Sequence, residues 1–538
     1  MITTVDTVVI GGGQAGLSVS YYLTRHDQDH MVLEQSDAPG EAWRNHRWDS
    51  FTLNTPRWQS RLAGVHYGED DPDGFMPREE MVARLEDLAR RLPVRYGLHV
   101  SRAERDRSGR YLLQVDGGEA ISARNVVVAT GLYQTPKIPA PSAHFPADIK
   151  QLHSDTYRNP QQLRPGAVLV VGSAQSGAQI AEELYESGRK VYLAVSRAGR
   201  TPRRYRGKDA NWWSARLGLY DRRVSDLPSS KAKFAGKPHI SGTRGGHTLN
   251  LHQFARDGVV LLGRLSGVED GMIRLAPDLH DNLAAADRSA MDFTKAVDAY
   301  VERTGMVAPE EKLPVLDDGF AQPLLRELDL RAAGITNVVW ATGYRFDFSM
   351  IKLPVLDEDG YPIQTRGVTA YPGLFFIGLP WLHDAKSGLI YGVGADASYI
   401  ADQIAARQIL KGTTPTRHQP GPLEARPIPG ITRTSRRLIN AFWSSVFAFI
   451  MEGFAVHAAG LTRLSFLPRP PLPMRIVIAL IASLLVAPAA AEDIRNPWQA
   501  NGHLAWSSSI ASAEQCQQHD YDRRRLQICQ SQYEGIQT

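Results

Sequence analysis

The sequence predicts an α/β fold made of two strand–glycine turn–helix units, the second set inside the first. Three observations predict it. The stretch VVIGGGQAGLS (8–18) runs an apolar strand into glycines and a helix, and VLVVGSAQSGAQIAEEL (168–184) repeats nearly the same pattern. The strand after each turn ends on charge of opposite sign, Glu34 in the first unit and Arg197 in the second. With 538 residues, 43% of them hydrophobic, the chain can build two or three domains with their own cores.

The elements follow in order. ITTVDTVVI (2–10) is rich in β-branched residues and reads as a strand. Gly11, Gly13 and Gly16 fit G-x-G-x-x-G, with Gln14 and Ala15 opening a helix that continues through LSVSYYLTRH. Gly11 suits a tight turn, Gly13 a close approach to a pyrophosphate, and Gly16 close helix–strand packing. HMVLEQ then brings Glu34 and Gln35 to a strand end roughly twenty residues downstream, where a ribose-binding acid belongs. A carboxylate there accepts a ribose diol and repels a 2′-phosphate, so this unit reads as a site for FAD or NAD.

The second unit carries Gly172, Ser173, Gln175, Ser176 and Gly177, with Ala174 where the second glycine would stand. Its following strand, KVYLAVSR (190–197), ends in Ser196 and Arg197 and leads to Arg200, Arg203, Arg204 and Arg206. A guanidinium at that strand end accommodates a 2′-phosphate, so the second nucleotide reads as NADPH. Opposite signs at the two ribose positions imply two different cofactors: one unit holds flavin, the other delivers hydride to it. Both units are dinucleotide-binding (Rossmann-like) domains, and their order in the chain nests the NADPH domain in the FAD domain.

Composition excludes several alternatives. A formal net charge of +4 gives no global electrostatic case for nucleic acid as partner. The only cysteines are Cys516 and Cys529, so the body holds no redox dithiol and no thiolate site for zinc or iron–sulfur; no metal is expected.

Further stretches resemble the flavin-containing monooxygenase family and its bacterial flavoprotein relatives, which include Baeyer–Villiger and auxin-forming enzymes. GEAWRNHRWDSFTLNTP (40–56) is similar to the family's flavin-contacting segment, with Gly40 and Trp43 in place. VVVATGLYQTPKIP (126–139) and VVWATGYRFD (338–347) carry its two Ala-Thr-Gly strands, Ala129-Thr130-Gly131 and Ala341-Thr342-Gly343. GLFFIGLPW (373–381), with Gly378, and GLIYGVGADASYIADQI (388–404) resemble the closing strand and helix of the FAD domain. The match covers about the first four hundred residues, in the family's motif order. Between the two turns Phe145 and His153-Ser-Asp-Thr-Tyr157 remain of a family signature whose glycine is absent, which weakens assignment to the Baeyer–Villiger and the classical branch. His153 is expected to orient the linker between domains.

The resemblance implies an FAD- and NADPH-dependent monooxygenase that inserts one atom of O2 into a small organic molecule through a flavin C4a peroxide. It implies a catalytic role for Asn54 near flavin and oxygen; an Asx-turn before Pro56 is the equal alternative. Two other functions stay open: an NADPH:flavin oxidoreductase without oxygen insertion, and a nucleotide-sensing flavoprotein linked to a transporter. Trp212 and Trp213 read as core in preference to substrate wall. MDFTKAVDAYVERTG (291–305) reads as an amphipathic helix.

The expected division is a first FAD-domain part over 1–163, the NADPH domain with its helical insertion over 164–329, and a second FAD-domain part over 330–412. A Pro-rich linker and an apolar segment (439–461) occupy 413–473. Residues 474–538 open on MRIVIALIASLLVAPAAAED, which reads as a secretory signal ending at Ala491, and contain both cysteines. A signal in the interior of a cytoplasmic flavoenzyme points to a fusion of two coding units, with a C-terminal membrane anchor as the alternative. The expected location is cytoplasmic, with membrane contact through the tail and a homodimer left open.

Overall fold

The computed structural model describes residues 2–68, 71–236 and 238–409. The linker, apolar segment, signal-like stretch and cysteine-containing tail expected over 413–538 lie outside the described residues.

Strand β1 (Ile2–Ile10) runs into helix α1 (Gln14–Arg25), which returns the chain to β2 (His30–Leu33). Val8 and Ile10 enter one core and Val9 the opposite one. Burial on both faces is why the strand reads as an unbroken apolar run. β2 pairs with β3 (Val94–Arg95), and β4 (Ala120–Val128) pairs in parallel with β1 from Ile2 opposite Ala120 to Ile10 opposite Val128.

Strand β5 (Lys150–His153) starts a second sheet, followed by β6 (Ala167–Val171), α2 (Gln175–Glu186), β7 (Val191–Ala194) and β8 (Val260–Leu262). Helix α3 (Leu279–Thr304) is a 26-residue amphipathic rod that stops at Gly305 in the left-handed conformation. It covers the predicted helix from Met291 to Thr304, ends one residue before the predicted 305, and extends three turns further towards its N-terminus. β9 (Ile335–Trp340) completes the sheet, whose order is β5-β9-β6-β7-β8, all parallel.

The expected boundaries shift here. The sequence assigns the strand of NVVWATG to the returning FAD domain, but β9 lies between β5 and β6 in the second sheet. β5 precedes the expected start at 164 and belongs to that sheet as well. An apolar strand ending in Ala-Thr-Gly fits beside either glycine turn, so the motif identifies its neighbour's kind without naming the neighbour. The first sheet resumes with the short strands Gln364–Thr365 and Val368–Thr369 and with β10 (Leu374–Phe376), which pairs with Val126–Val128 of β4. Helix α4 (Ile390–Ile409) then packs Val393, Ala397, Ile400 and Ile404 against Val19 and Leu23 of α1. Among the described residues no helix is long and apolar enough to cross a membrane.

Candidate functional site: a cleft between two glycine turns

The carboxyl ends of β1 and β6 open on one continuous cleft of about 2200 Å³. Ligands of parallel sheets bind at this end, where helix N-termini point their free N–H groups. Gly11 adopts φ 112°, and a Cβ there would lie 2.6 Å from the Ala129 carbonyl oxygen, so only glycine lets the turn pass the Ala129-Thr130-Gly131 strand end. A Cβ at Gly13 would meet nothing within 4 Å, leaving space over the turn. No side chain caps α1 and no acid occupies its first turn, so its amides keep their affinity for an anion. Glu34 is 6% exposed, and its carboxylate accepts from the Gly12 amide at 2.6 Å and the Ser36 amide at 2.9 Å. The Gly40 amide donates to the Gly12 carbonyl at 3.1 Å, which sets Trp43 on the cleft wall.

The second turn repeats the geometry. Gly172 has φ 101°, with its absent Cβ 2.6 Å from the Ala341 carbonyl oxygen, and α2 is again uncapped and free of acids in its first turn. Gln175 is held by Ile240, donating to its carbonyl at 2.7 Å and accepting from its amide at 3.2 Å. Arg197 stands at the following strand end, exposed on the cleft wall with no hydrogen bond or ion pair among the described residues. The other arginines of this loop are occupied. Arg200 pairs with Asp287 at 2.7 Å, Arg204 donates to the carbonyls of Gly245 and Gly246, and Arg206 pairs with Asp298.

Arg203 is the unexpected member of the run. It is 1% exposed, paired with Asp209 at 2.7 Å, and lies over the Phe75 ring at 4.2 Å. Burial pushes its guanidinium down from its ordinary value, against the pull of Asp209. It donates to the Asn54 carbonyl at 2.8 Å, and Asn211 donates to the same oxygen at 3.2 Å. The backbone of Asn54, which lines the cleft, is thus clamped from behind, and its side chain makes no hydrogen bond among the described residues. An Asx-turn is closed to it because Pro56 has no N–H to offer.

The two Ala-Thr-Gly strand ends meet. Thr135–Pro136 and Tyr344–Arg345 form a short antiparallel ribbon just beyond them, and the Lys137 amide donates to the Gly343 carbonyl at 2.9 Å. His153 donates from Nε2 to the Gly343 carbonyl at 3.1 Å and accepts from the Asp155 amide at Nδ1, so both nitrogens serve the linker, as expected of an orienting residue. His46, from the segment of Gly40 and Trp43, contacts Asp155 at 2.9 Å, and Tyr344 donates to the other carboxylate oxygen at 2.9 Å. The Asp155 hydrogen bond raises the His46 pKa; burial would raise that of Asp155, but its bonds from His46 and Tyr344 hold it below its ordinary value.

Of the residues selected from sequence, Gly11, Gly13, Gln14, Ala15, Glu34, Gln35, Gly40, Trp43, Asn54, Ala129, Thr130, Gly131, Gly172, Gln175, Ser176, Ser196, Arg197, Ala341, Thr342, Gly343 and Gly378 all line this cleft. Gly16, Ser173 and Gly177 are not among the cleft-lining residues: Gly16 and Gly177 hold the helix–strand packing positions that the sequence assigns to the last glycine of each turn, and Ser173 is corrected from contact to support. A Cβ at Gly16 would fall 1.9 Å from the Gly11 carbonyl oxygen, and one at Gly177 1.8 Å from that of Gly172, so both serve helix–strand packing. Ser173 is fully buried, and its hydroxyl accepts from the Ser196 amide at 3.1 Å, fixing the strand end that carries Arg197. Trp213 is fully buried with its indole N–H donating to the Tyr205 carbonyl, and Trp212 packs edge-on against it, so the pair is core. Sequence reasoning missed the Arg203 clamp and the His46–Asp155–Tyr344 cluster. A loop run of arginines resembles a solvated surface, and residues 46, 155 and 344 are joined only by the fold.

Two sheets whose parallel strands end in glycine turns facing one cleft are the arrangement of a protein with two dinucleotide-type sites. Residues 8–216 match the family described as pyridine nucleotide-disulphide oxidoreductase. An uncharacterized CzcO-like oxidoreductase of Geobacillus kaustophilus is 34% identical, over 74% of this chain and 98% of its own length. The rice indole-3-pyruvate monooxygenase YUCCA1 is 31% identical over 35% of this chain and 47% of its own. Among solved structures, the flavin-containing monooxygenase of Stenotrophomonas maltophilia aligns with a TM-score of 0.52 and 21% identity, covering 76% of this chain and 99% of that one. The chain belongs to the CzcO-like oxidoreductases. With no cysteine before Cys516, nothing in the matched region can exchange disulfides.

Proposed function

We propose that the protein is an FAD-dependent, NADPH-using monooxygenase inserting one oxygen atom from O2 into a small organic substrate. The observation that carries the reading is the meeting, in one cleft, of an acid-ended and an arginine-ended glycine turn. FAD is assigned to the turn from Gly11 to Gly16, with Glu34 at its ribose and Gly40, Trp43, Thr130 and Gly378 along its length. NADPH is assigned to the turn from Gly172 to Gly177, with Ser196 and Arg197 at the 2′-phosphate and Ala341, Thr342 and Gly343 beneath. When bound, the flavin supplies hydride acceptance and oxygen activation. The chain's own work is to hold the two nucleotides against each other, to exclude water, and to aim a fixed donor at the reacting atoms. Asn54 is assigned that last role, because its backbone is clamped and its amide is unspent. The named activity of the rice relative supports oxygen insertion over plain electron transfer. The reading sets the protein in the cytoplasm, where reduced nicotinamide nucleotide is supplied.

The test is isotopic. Purified protein given NADPH, 18O2 and a panel of amines, sulfides, ketones and indolic keto acids should yield a product carrying one 18O atom, with NADPH use stimulated by that substrate. Complete conversion of oxygen to hydrogen peroxide with every compound would instead identify the NADPH:flavin oxidoreductase.

A further inference from the structure

We propose that Arg288, on helix α3, is a second guanidinium for the nicotinamide nucleotide's 2′-phosphate, so that coenzyme choice is set jointly by the dinucleotide domain and its helical insertion. The inference rests on the assignment of NADPH to the second turn. Helix α3 presents one stripe to the cleft: Ala285, Arg288, Ser289, Asp292, Phe293 and Ala296 recur at helical spacing along the wall that also bears Ser196 and Arg197. Two bonds lock that stripe to the arginine loop. Asn282 donates to the Val195 carbonyl at 3.2 Å, and Ser289 donates to the Arg200 carbonyl at 3.2 Å. Between these ties lie Arg197 on the loop and Arg288 on the helix, within about 10 Å of helix axis at 1.5 Å rise per residue. The approach is close: a Cβ at Gly199 would lie 2.7 Å from the Ser289 hydroxyl oxygen.

The electrostatics single out the same two side chains. Arg200 is consumed by Asp287, and Arg264, also on the wall, by Asp278. Arg197 and Arg288 are both exposed and have no hydrogen bond or ion pair among the described residues. Among the described residues Arg288 makes no ion pair with Asp292, which lies one turn beyond it. Two guanidiniums without partners, on elements tied together, suit a shared dianion, which a phosphate monoester supplies and a ribose hydroxyl does not.

Calorimetry on the full-length, flavin-loaded protein with adenosine 2′,5′-bisphosphate and 5′-AMP isolates the 2′-phosphate. Arg288→Ala should cut the preference for the bisphosphate roughly tenfold or more, with AMP affinity changed less than about twofold, as for loss of one charge-assisted hydrogen bond. Arg303→Ala, on the same helix but off the cleft, should change neither, and an equal loss there would overturn the inference. An unchanged preference in Arg288→Ala, with Arg197→Ala losing it, would overturn the inference and leave the NADPH assignment standing. An equal loss for both probes would also overturn it, by placing Arg288 at a group common to both. No preference in the unaltered protein would remove the NADPH assignment itself.

Discussion

Gly11 and Gly172 adopt φ of 112° and 101°, and each packs so closely on an Ala-Thr-Gly strand end that a Cβ would stand 2.6 Å from a carbonyl oxygen. Gly16 and Gly177 repeat the match one turn into their helices. At the next strand end the likeness stops. Glu34 is buried and spends its carboxylate on two backbone amides, whereas Arg197 is exposed and spends nothing. The difference separates two jobs. The glycines make room for any dinucleotide, and the strand-end side chain decides which one. A buried, prearranged acid suits a resident cofactor, and an exposed cation suits a coenzyme that arrives and leaves.

The largest expected effect breaks one turn and spares the other. Gly16→Ala and Gly177→Ala each drive a methyl into a carbonyl oxygen of the preceding turn, at 1.9 and 1.8 Å. Each should cost about 3 kcal/mol, the upper end for overpacking, measured by denaturant melts. Gly16→Ala should also lose bound flavin, while Gly177→Ala stays yellow and loses NADPH reduction. If both variants lose both properties, the turns do not act on separate nucleotides.

Exchanging the deciding charge sharpens the comparison. Glu34→Ala should weaken FAD, and Arg197→Glu should weaken NADPH far more than NADH, each by about 1.5–3 kcal/mol for a lost charge-assisted contact. Flavin retention on dialysis reads the first and steady-state selectivity the second. Equal changes for both coenzymes would move the 2′-phosphate away from Arg197.

A smaller effect lies in the cluster that joins the two halves. His46 has its pKa raised by Asp155, so its contribution is fully present below the unfolded value and fades as pH rises through the folded one. Asp155 is depressed, so its share is lost only when pH falls through its own lowered value. Because the His46 side chain is a third exposed, the stabilisation should stay below about 1 kcal/mol. His46→Gln should flatten the fall in stability above neutral pH. A slope identical to that of the unaltered protein would mean that the pair does not couple to folding.

The turns were legible because their chemistry is local. Gly11, Gly13, Glu34, Gly172 and Arg197 lie at fixed offsets dictated by one strand, one turn and one helix, so spacing alone selects them. The sheet membership of NVVWATG was not legible, since strand pairing depends on what else competes for the edge of β6. Arg203 was hidden for a related reason. Its burial needs Phe75, Asp209 and Asn54 to converge from three parts of the chain, and nothing in SRAGRTPRRYRGK separates a buried arginine from its exposed neighbours.

The smallest expected effect tests the one place where the second turn departs from the strict fingerprint. Gly13 and Ala174 occupy equivalent N-cap positions with φ,ψ of −86°, −173° and −70°, −168°, extended backbone that any residue adopts. Neither position therefore needs glycine for conformation, and a Cβ at Gly13 would touch no protein atom. What glycine provides there is room for a phosphate, so the methyl matters only once a nucleotide is bound. Ala174→Gly should loosen the unfolded chain at a cost of about 0.4–1 kcal/mol, and glycine's advantage over alanine at an N-cap offsets part of that. The net change in stability should be within about 0.5 kcal/mol, with NADPH affinity improved by less than threefold or so. Gly13→Ala should be as mild in the flavin-free protein yet weaken FAD measurably, because its methyl enters the space over the turn. If Gly13→Ala instead binds FAD normally, the pyrophosphate does not sit against this turn, and the comparison between the two sites loses its structural basis.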